Sequence, residues 1–106
     1  MSMEKISEKP FKLKDIVAFN EAHINSETIF KSAHNVLSVT ALSLNQEIPK
    51  YTTTCPLMLY VLEGSIDVLV DKQSFSLATE ESYIVPKDVD LHITATKETK
   101  VFVIRL

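Results

Sequence analysis

The chain is poor in the residues that loosen a backbone or staple one together. Among its 106 residues are a single glycine, Gly64, four prolines, one cysteine and no tryptophan. One glycine is too few for a phosphate-cradling loop or a dinucleotide fingerprint, and no G-x-S-x-G nucleophile elbow is present. The lone Cys55 excludes an intramolecular disulfide and agrees with a reducing compartment. No apolar run approaches the roughly 20 residues needed to cross a bilayer, and Met1–Lys14 is too polar and acidic for a secretory signal, so a cytoplasmic protein without a membrane partner is expected. The net charge is −3, and the eleven lysines and arginines are scattered rather than gathered in a stripe, which argues against a nucleic-acid partner.

What is there is ordinary globular material, 45% hydrophobic and 24% charged. A chain of this length forms one domain that buries roughly 65% of its unfolded surface and needs no metal or disulfide staple. Residues 1–10 read as a polar, aperiodic leader ending in Pro10, and residues 11–106 as the domain. In Phe11–Phe19 the spacing of Leu13, Ile16 and Val17 suits one or two helical turns, although Phe11–Leu13 alternates like a short strand. From Glu27 onward the chain reads as strands. Glu27–Lys31 is brief and edge-like. Leu37, Val39 and Ala41 alternate with Ser38 and Thr40, and Ser43–Cys55, which holds Pro49, reads as a long extended connection.

Leu57–Val70 is the best-marked stretch. Two apolar runs meet at Glu63-Gly64, where a two-residue hairpin turn would use the glycine's freedom to take positive φ. After it, Ile66, Val68 and Val70 alternate with Ser65, Asp67 and Asp71, the pattern of a strand with one wet face. A further turn falls near Asp71-Lys72. Ser82–Val85 is stopped by Pro86, Leu91, Ile93 and Ala95 alternate with His92, Thr94 and Thr96, and Val101–Leu106 closes the chain as a strongly β-prone strand. About eight short strands with almost no helix are the pattern of an antiparallel barrel or a double-sheet sandwich.

The stretch LMLYVLEGSIDVLVDKQSFSLATEESYIVPKDVDLHI resembles the cupin superfamily, the small RmlC-like jelly-roll proteins, in its succession of a "yVLeG" hairpin, a turn, a strand, a polar turn and an "iPxgvpH" segment. The resemblance covers Gln46–Leu106 and implies an all-β, double-stranded β-helix barrel. Most active cupins hold a metal through two histidines one residue apart, a glutamate seven residues before the hairpin glycine, and a later histidine after the "P-x-G" turn. Carried onto this chain, the glutamate position is Leu57, and the histidine positions are Tyr51 and Thr53, or Lys50 and Thr52 if the gap is one longer. The late histidine position is Leu91. None of these side chains suits an iron, manganese or zinc centre, so no metal, cofactor or catalytic residue is expected.

The implied molecule is a barrel whose interior is an apolar cavity lined by Tyr51, Thr53, Leu57, Leu59, Val68, Tyr83, Val85 and Leu91. That cavity either takes a small, partly apolar organic ligand or is filled by side chains. The resemblance also implies a homodimer paired through Glu27–Phe30 and Leu37–Ala41. A metal-free binding or sensor-like module needs no catalytic group that is missing. A metal-dependent cupin enzyme of dioxygenase or isomerase type would have to recruit His92 or His34, and a metal-free isomerase or epimerase would have only Tyr51 as an inward acid–base group. Alternation places His92 on the outer face with Thr94 and Thr96. His23 lacks a spaced ligand partner. Cys55 has only Lys50 nearby in sequence to lower its pKa and reads as inert. Glu80-Glu81 and Asp88–Asp90 fall in turns and read as solvated surface charge.

Overall fold

The computed structural model describes residues 9–106, so the expected leader lies, apart from Lys9 and Pro10, outside the described residues. Nine strands follow a short 3-10 turn at Leu13–Asp15. They are β1 (Asn25–Lys31), β2 (Val36–Leu42), β3 (Glu47–Thr52), β4 (Leu57–Glu63), β5 (Ser65–Val70), β6 (Gln73–Ala78), β7 (Ser82–Val85), β8 (Asp90–Ala95) and β9 (Thr99–Arg105). They form two antiparallel sheets, one ordered β1-β2-β9-β4-β7 and the other β3-β8-β5-β6. This is the all-β, two-sheet antiparallel architecture that the strand pattern predicts and the jelly-roll form that the cupin resemblance implies.

The expected hairpin at Glu63-Gly64 is not one. β4 pairs with β9 and β7, whereas β5 pairs with β8 and β6, so the chain changes sheets at Gly64 instead of folding back on itself. Gly64 has φ +98°, and a Cβ there would stand 2.8 Å from Thr99 Cα and closer still to the Glu98 carbonyl oxygen. A corner glycine and a hairpin glycine leave the same local mark, because both need positive φ. Only the close approach of Thr99, far along the chain, distinguishes them.

The core lies between the sheets and follows the registers. Leu59 pairs with Val103 and Val61 with Val101, while Ile66 pairs with Ala95, Val68 with Ile93 and Val70 with Leu91. Side chains paired across an antiparallel ladder share a face, so these residues interleave in one apolar layer with Leu42, Leu57, Leu77 and Val85. A second, smaller cluster occupies the outer face of the five-stranded sheet. There Val39 and Ala41, both fully buried, pack with Val17, Leu13, Phe19, Leu62 and Phe102. The segment Phe11–Phe19 thus acts as a cover, and Lys100 Nζ lies 5.1 Å from the centre of the Phe19 ring.

That cover explains an inversion. In β2 the apolar set Val39 and Ala41 faces the cover, so the polar set Ser38 and Thr40 faces the barrel interior. The Ser43–Cys55 connection is also more ordered than its sequence suggests, because Glu47–Thr52 is an edge strand paired with β8. Pro49 falls within the register shift between Ile48 and Tyr51, a place where a missing N–H removes no ladder bond. Four turn positions adopt positive φ without glycine: Asn45, Asp71, Glu80 and Asp88.

Gly64→Ala should be severely destabilising. Strain at positive φ and the clash with backbone together cost about 3 kcal/mol or more. For a domain of this size that lowers Tm by roughly 10–20 °C in a thermal melt. A melting point within a few degrees of wild type would contradict the corner geometry.

Candidate functional site

A cavity of about 130 Å³ opens at one end of the barrel, lined by Ser26, Ser38, Thr40, Ile48, Tyr51, Leu57, Leu59, Leu91, Ile93, Val103 and Arg105. Its two sides differ chemically. β1 and β2 contribute the hydroxyls of Ser26, Ser38 and Thr40, a consequence of the inverted face of β2. β3, β4, β8 and β9 contribute the aliphatic side. A neighbouring pocket of about 190 Å³ is bounded by Thr52, Thr53, Thr54 and Cys55 and shares Tyr51, Leu57 and Arg105 with the first. The three shared residues form the boundary between a chamber with one aliphatic and one hydroxyl wall and a polar vestibule. A wider depression of about 470 Å³, bordered by Glu21, Ser43, Leu44 and Glu98, lies apart from these residues.

Registers place the shared residues. Tyr51 pairs with Leu91 across β3 and β8, and Leu57 pairs with Arg105 across β4 and β9. Arg105 is the only arginine in the chain and is solvent-exposed. Its carbonyl accepts a hydrogen bond from Asn35 Nδ2, but its guanidinium makes no hydrogen bond or ion pair among the described residues. Neither cavity wall carries an aspartate or glutamate. Tyr51 is 40% exposed. Its phenol is pushed above the usual tyrosine range, chiefly by desolvation and also by Cys55, with the Arg105 charge opposing the rise. Tyr51 is therefore a neutral hydroxyl donor at physiological pH.

Of the eight residues expected to line the interior, Tyr51, Leu57, Leu59 and Leu91 lie on the 130 Å³ cavity and Thr53 on the neighbouring pocket. Thr53 is 1% exposed and its side chain is already occupied, since Oγ1 donates to the Pro86 carbonyl at 2.8 Å and accepts from Val89 N–H at 3.1 Å. Its hydroxyl binds the β3–β4 connection to the β7–β8 loop. Val68 and Val85 are fully buried in the closed core, and Tyr83 packs against Phe75 with ring centres 4.9 Å apart. Ser26, Ser38, Thr40, Ile48, Ile93, Val103 and Arg105 were not foreseen. The alternation of β8 held the signal for Ile93, but the inward face of β2 is set by the Phe11–Phe19 cover, and the Leu57–Arg105 pairing spans 48 residues and leaves no local mark.

The histidines stand elsewhere. His92 lies on the outer face of the four-stranded sheet, its Nε2 2.6 Å from Glu47 Oε1. His23 contacts Asn20 and the Ile24 carbonyl, and His34 is exposed in the β1–β2 turn. Among the described residues no three His, Cys, Asp or Glu side chains gather as a metal site would require. The residues at the positions where cupins usually ligate metal do not fit one. Leu57 and Leu91 have no donor atom, Thr53 has spent its hydroxyl on the backbone and Tyr51 is a neutral phenol, while of the alternative pair Lys50 is exposed and Thr52 donates its hydroxyl to Asp90.

No protein-family model matches the chain, and no curated protein does. Solved structures do. A cupin superfamily protein from Desulfitobacterium hafniense superposes with a TM-score of 0.88 at 19% identity, covering 94% of this chain and 92% of its own. An RmlC-like cupin from Desulfovibrio desulfuricans superposes at 0.79 with 20% identity, covering 91% and 93%. A conserved protein of unknown function from Streptococcus pyogenes superposes at 0.87 with 17% identity, covering 93% and 87%. The fold is that of the cupins.

The displacement of the Tyr51 titration can be read directly. The absorbance change near 295 nm in the wild-type titration, minus that of Tyr51→Phe, isolates this phenol, and its midpoint should lie above the ordinary value of about 10. A raised folded-state pKa contributes stability that is fully present below about pH 10 and is lost as pH rises through the folded value. The wild type should accordingly lose more stability than Tyr51→Phe across that alkaline window. A midpoint at or below the ordinary value would contradict the desolvated setting of this phenol.

Proposed function

We propose that this protein is a metal-free cupin barrel that binds a small, partly apolar organic molecule, as a non-catalytic or sensor-like module. One observation carries the reading. The positions where a cupin would usually ligate metal are brought together around the open end of the barrel, and they offer two leucines, a spent threonine hydroxyl and a neutral phenol. The free thiol of Cys55 supports a reducing, cytoplasmic setting.

The test is elemental analysis with chelation. Purified protein should hold substoichiometric iron, manganese, nickel and zinc, and dialysis against EDTA should leave Tm unchanged. A transition metal bound at 1:1, with Tm falling on its removal, would overturn the reading in favour of a metal-dependent enzyme with unusual ligands. For the binding itself, a fragment screen followed by amide chemical-shift mapping should place responsive signals at Tyr51, Leu57 and Leu91. Val103→Phe, which fills the cavity, should abolish those responses.

We further propose that two copies pair through the outer face of the five-stranded sheet. Register lines up Phe30, Leu37, Ile104, Met58 and Ile84 as an uncharged row across all five strands. Phe30 and Ile84 are 41% and 60% exposed. Such a row is complementary to itself under two-fold symmetry, whereas any fixed charge in it would oppose its own copy. It takes in the β1 and β2 strands expected to pair, but Val39 and Ala41 are already covered by Phe11–Phe19. Sedimentation equilibrium should return a dimer for the wild type and a folded monomer for Phe30→Lys/Ile84→Lys. A wild-type monomer at tens of micromolar would refute the pairing.

A further inference from the structure

We propose that the ligand is a small monocarboxylate, its apolar body among Leu57, Leu59 and Leu91 and its carboxylate at the vestibule, held by Arg105. This rests on the small-molecule-binding reading above and gives that ligand a charge and a size.

The charge comes from Arg105. It is the only arginine in the chain and the last residue of β9. Its register with Leu57 puts the side chain on the interior side of the sheet, at the boundary shared by the two pockets. A guanidinium presents donors in a planar fork that matches a carboxylate in bidentate fashion. In this protein, whose net charge is −3, that fork meets no acidic side chain on either cavity wall. Nor does it take a hydrogen bond or ion pair elsewhere among the described residues. The vestibule is otherwise bordered by Thr54 and Tyr51, whose hydroxyls complete the hydrogen bonding of an oxyanion without adding charge, while the neighbouring Thr52 hydroxyl is already donated to Asp90 Oδ1 at 2.9 Å. One cation matches one anion, so a dicarboxylate would leave its second charge against leucine.

The size comes from the chamber. At about 130 Å³ it is close to the roughly 150 Å³ apolar cavity that accommodates benzene, so the body is a single ring or a chain of about six carbons.

The probes are benzoate and benzamide, nearly isosteric and differing in charge, with benzylamine as the cationic counterpart, each titrated by calorimetry and amide shifts. Benzoate should bind the wild type about tenfold more tightly than benzamide, the scale of one charge-assisted bond at a partly wet site. Benzylamine should be weakest, and the benzoate advantage should shrink as salt rises, because the guanidinium is exposed. Arg105→Gln should bring benzoate and benzamide within about threefold of each other, leaving benzamide binding in place. Equal wild-type affinities, or a benzoate advantage that survives Arg105→Gln, would overturn the proposal while leaving an apolar binding chamber intact. If no probe binds at all, the binding reading fails together with it. Should Arg105→Gln misfold, the wild-type ratio and its salt dependence decide the matter alone.

Discussion

The crossing at Gly64 is the constraint on which the rest of the barrel depends. Glycine lets the chain turn from one sheet into the other while the Thr99 backbone sits where a side chain would be. Thr99, fully buried, then ties the corner, its hydroxyl accepting from Ser65 N–H and donating toward the Ser65 carbonyl. Thr99 opens β9 and Gly64 follows β4, so the corner holds these two strands together next to a register shift between Val61 and Glu63, beyond which the ladder runs regularly. At roughly 3.4 Å per residue that register is carried about 20 Å along β4, to the opposite end of the barrel. There it sets Leu57 against Arg105. A one-residue slip of β9 against β4 would turn Arg105 outward while Leu57 stayed inside, so the composition of the cavity mouth depends on that register.

How much of this was legible depended on whether the signal was local. β5 and β8 each have one wet face and one apolar face, and their alternation was enough to place Ile66, Val68, Leu91 and Ile93 inside and His92 outside. β4 was placed correctly as a strand but given the wrong partner, because the glycine that permits a corner also permits a hairpin. β3 was missed because Pro49 argues against a strand, an argument that fails at a sheet edge with a register shift. β2 shows the subtlest failure. Its alternation was evident, but which set faced inward was decided by Phe11–Phe19 folding over the outside, a tertiary event that the pattern of β2 does not encode. The polar wall of Ser26, Ser38 and Thr40 follows from that cover.

The same logic separates the residues that shape the cavity from those that merely share its fold position. Tyr51, Leu57 and Leu91, the positions reached by counting from Gly64 and Pro86, all line the cavity. Thr53 was located in the same way, yet it serves the backbone. A buried hydroxyl seeks its nearest partners, and the Pro86 carbonyl and Val89 N–H satisfy it before any ligand arrives. Position in the fold gives proximity, and hydrogen-bond satisfaction then decides availability.

The weakness of each interaction at this mouth explains why both halves of the site are needed. Burying about six methylene-sized groups gains ~5 kcal/mol at ~0.8 kcal/mol each. Association itself costs on the order of 4 kcal/mol or more, so an apolar body alone is held only weakly. An exposed ion pair contributes at most about 1 kcal/mol when it stands in water. At Arg105 it does not stand there alone, because an apolar body seated on Leu57 and Leu59 brings the anion to a guanidinium whose register already faces the chamber. The two unlike ends of the ligand then set its orientation, and the neutral hydroxyl of Tyr51, its pKa raised further chiefly by desolvation, adds a donor without a second charge. Selectivity at such a site comes from the coincidence of a small volume and a single cation at its mouth.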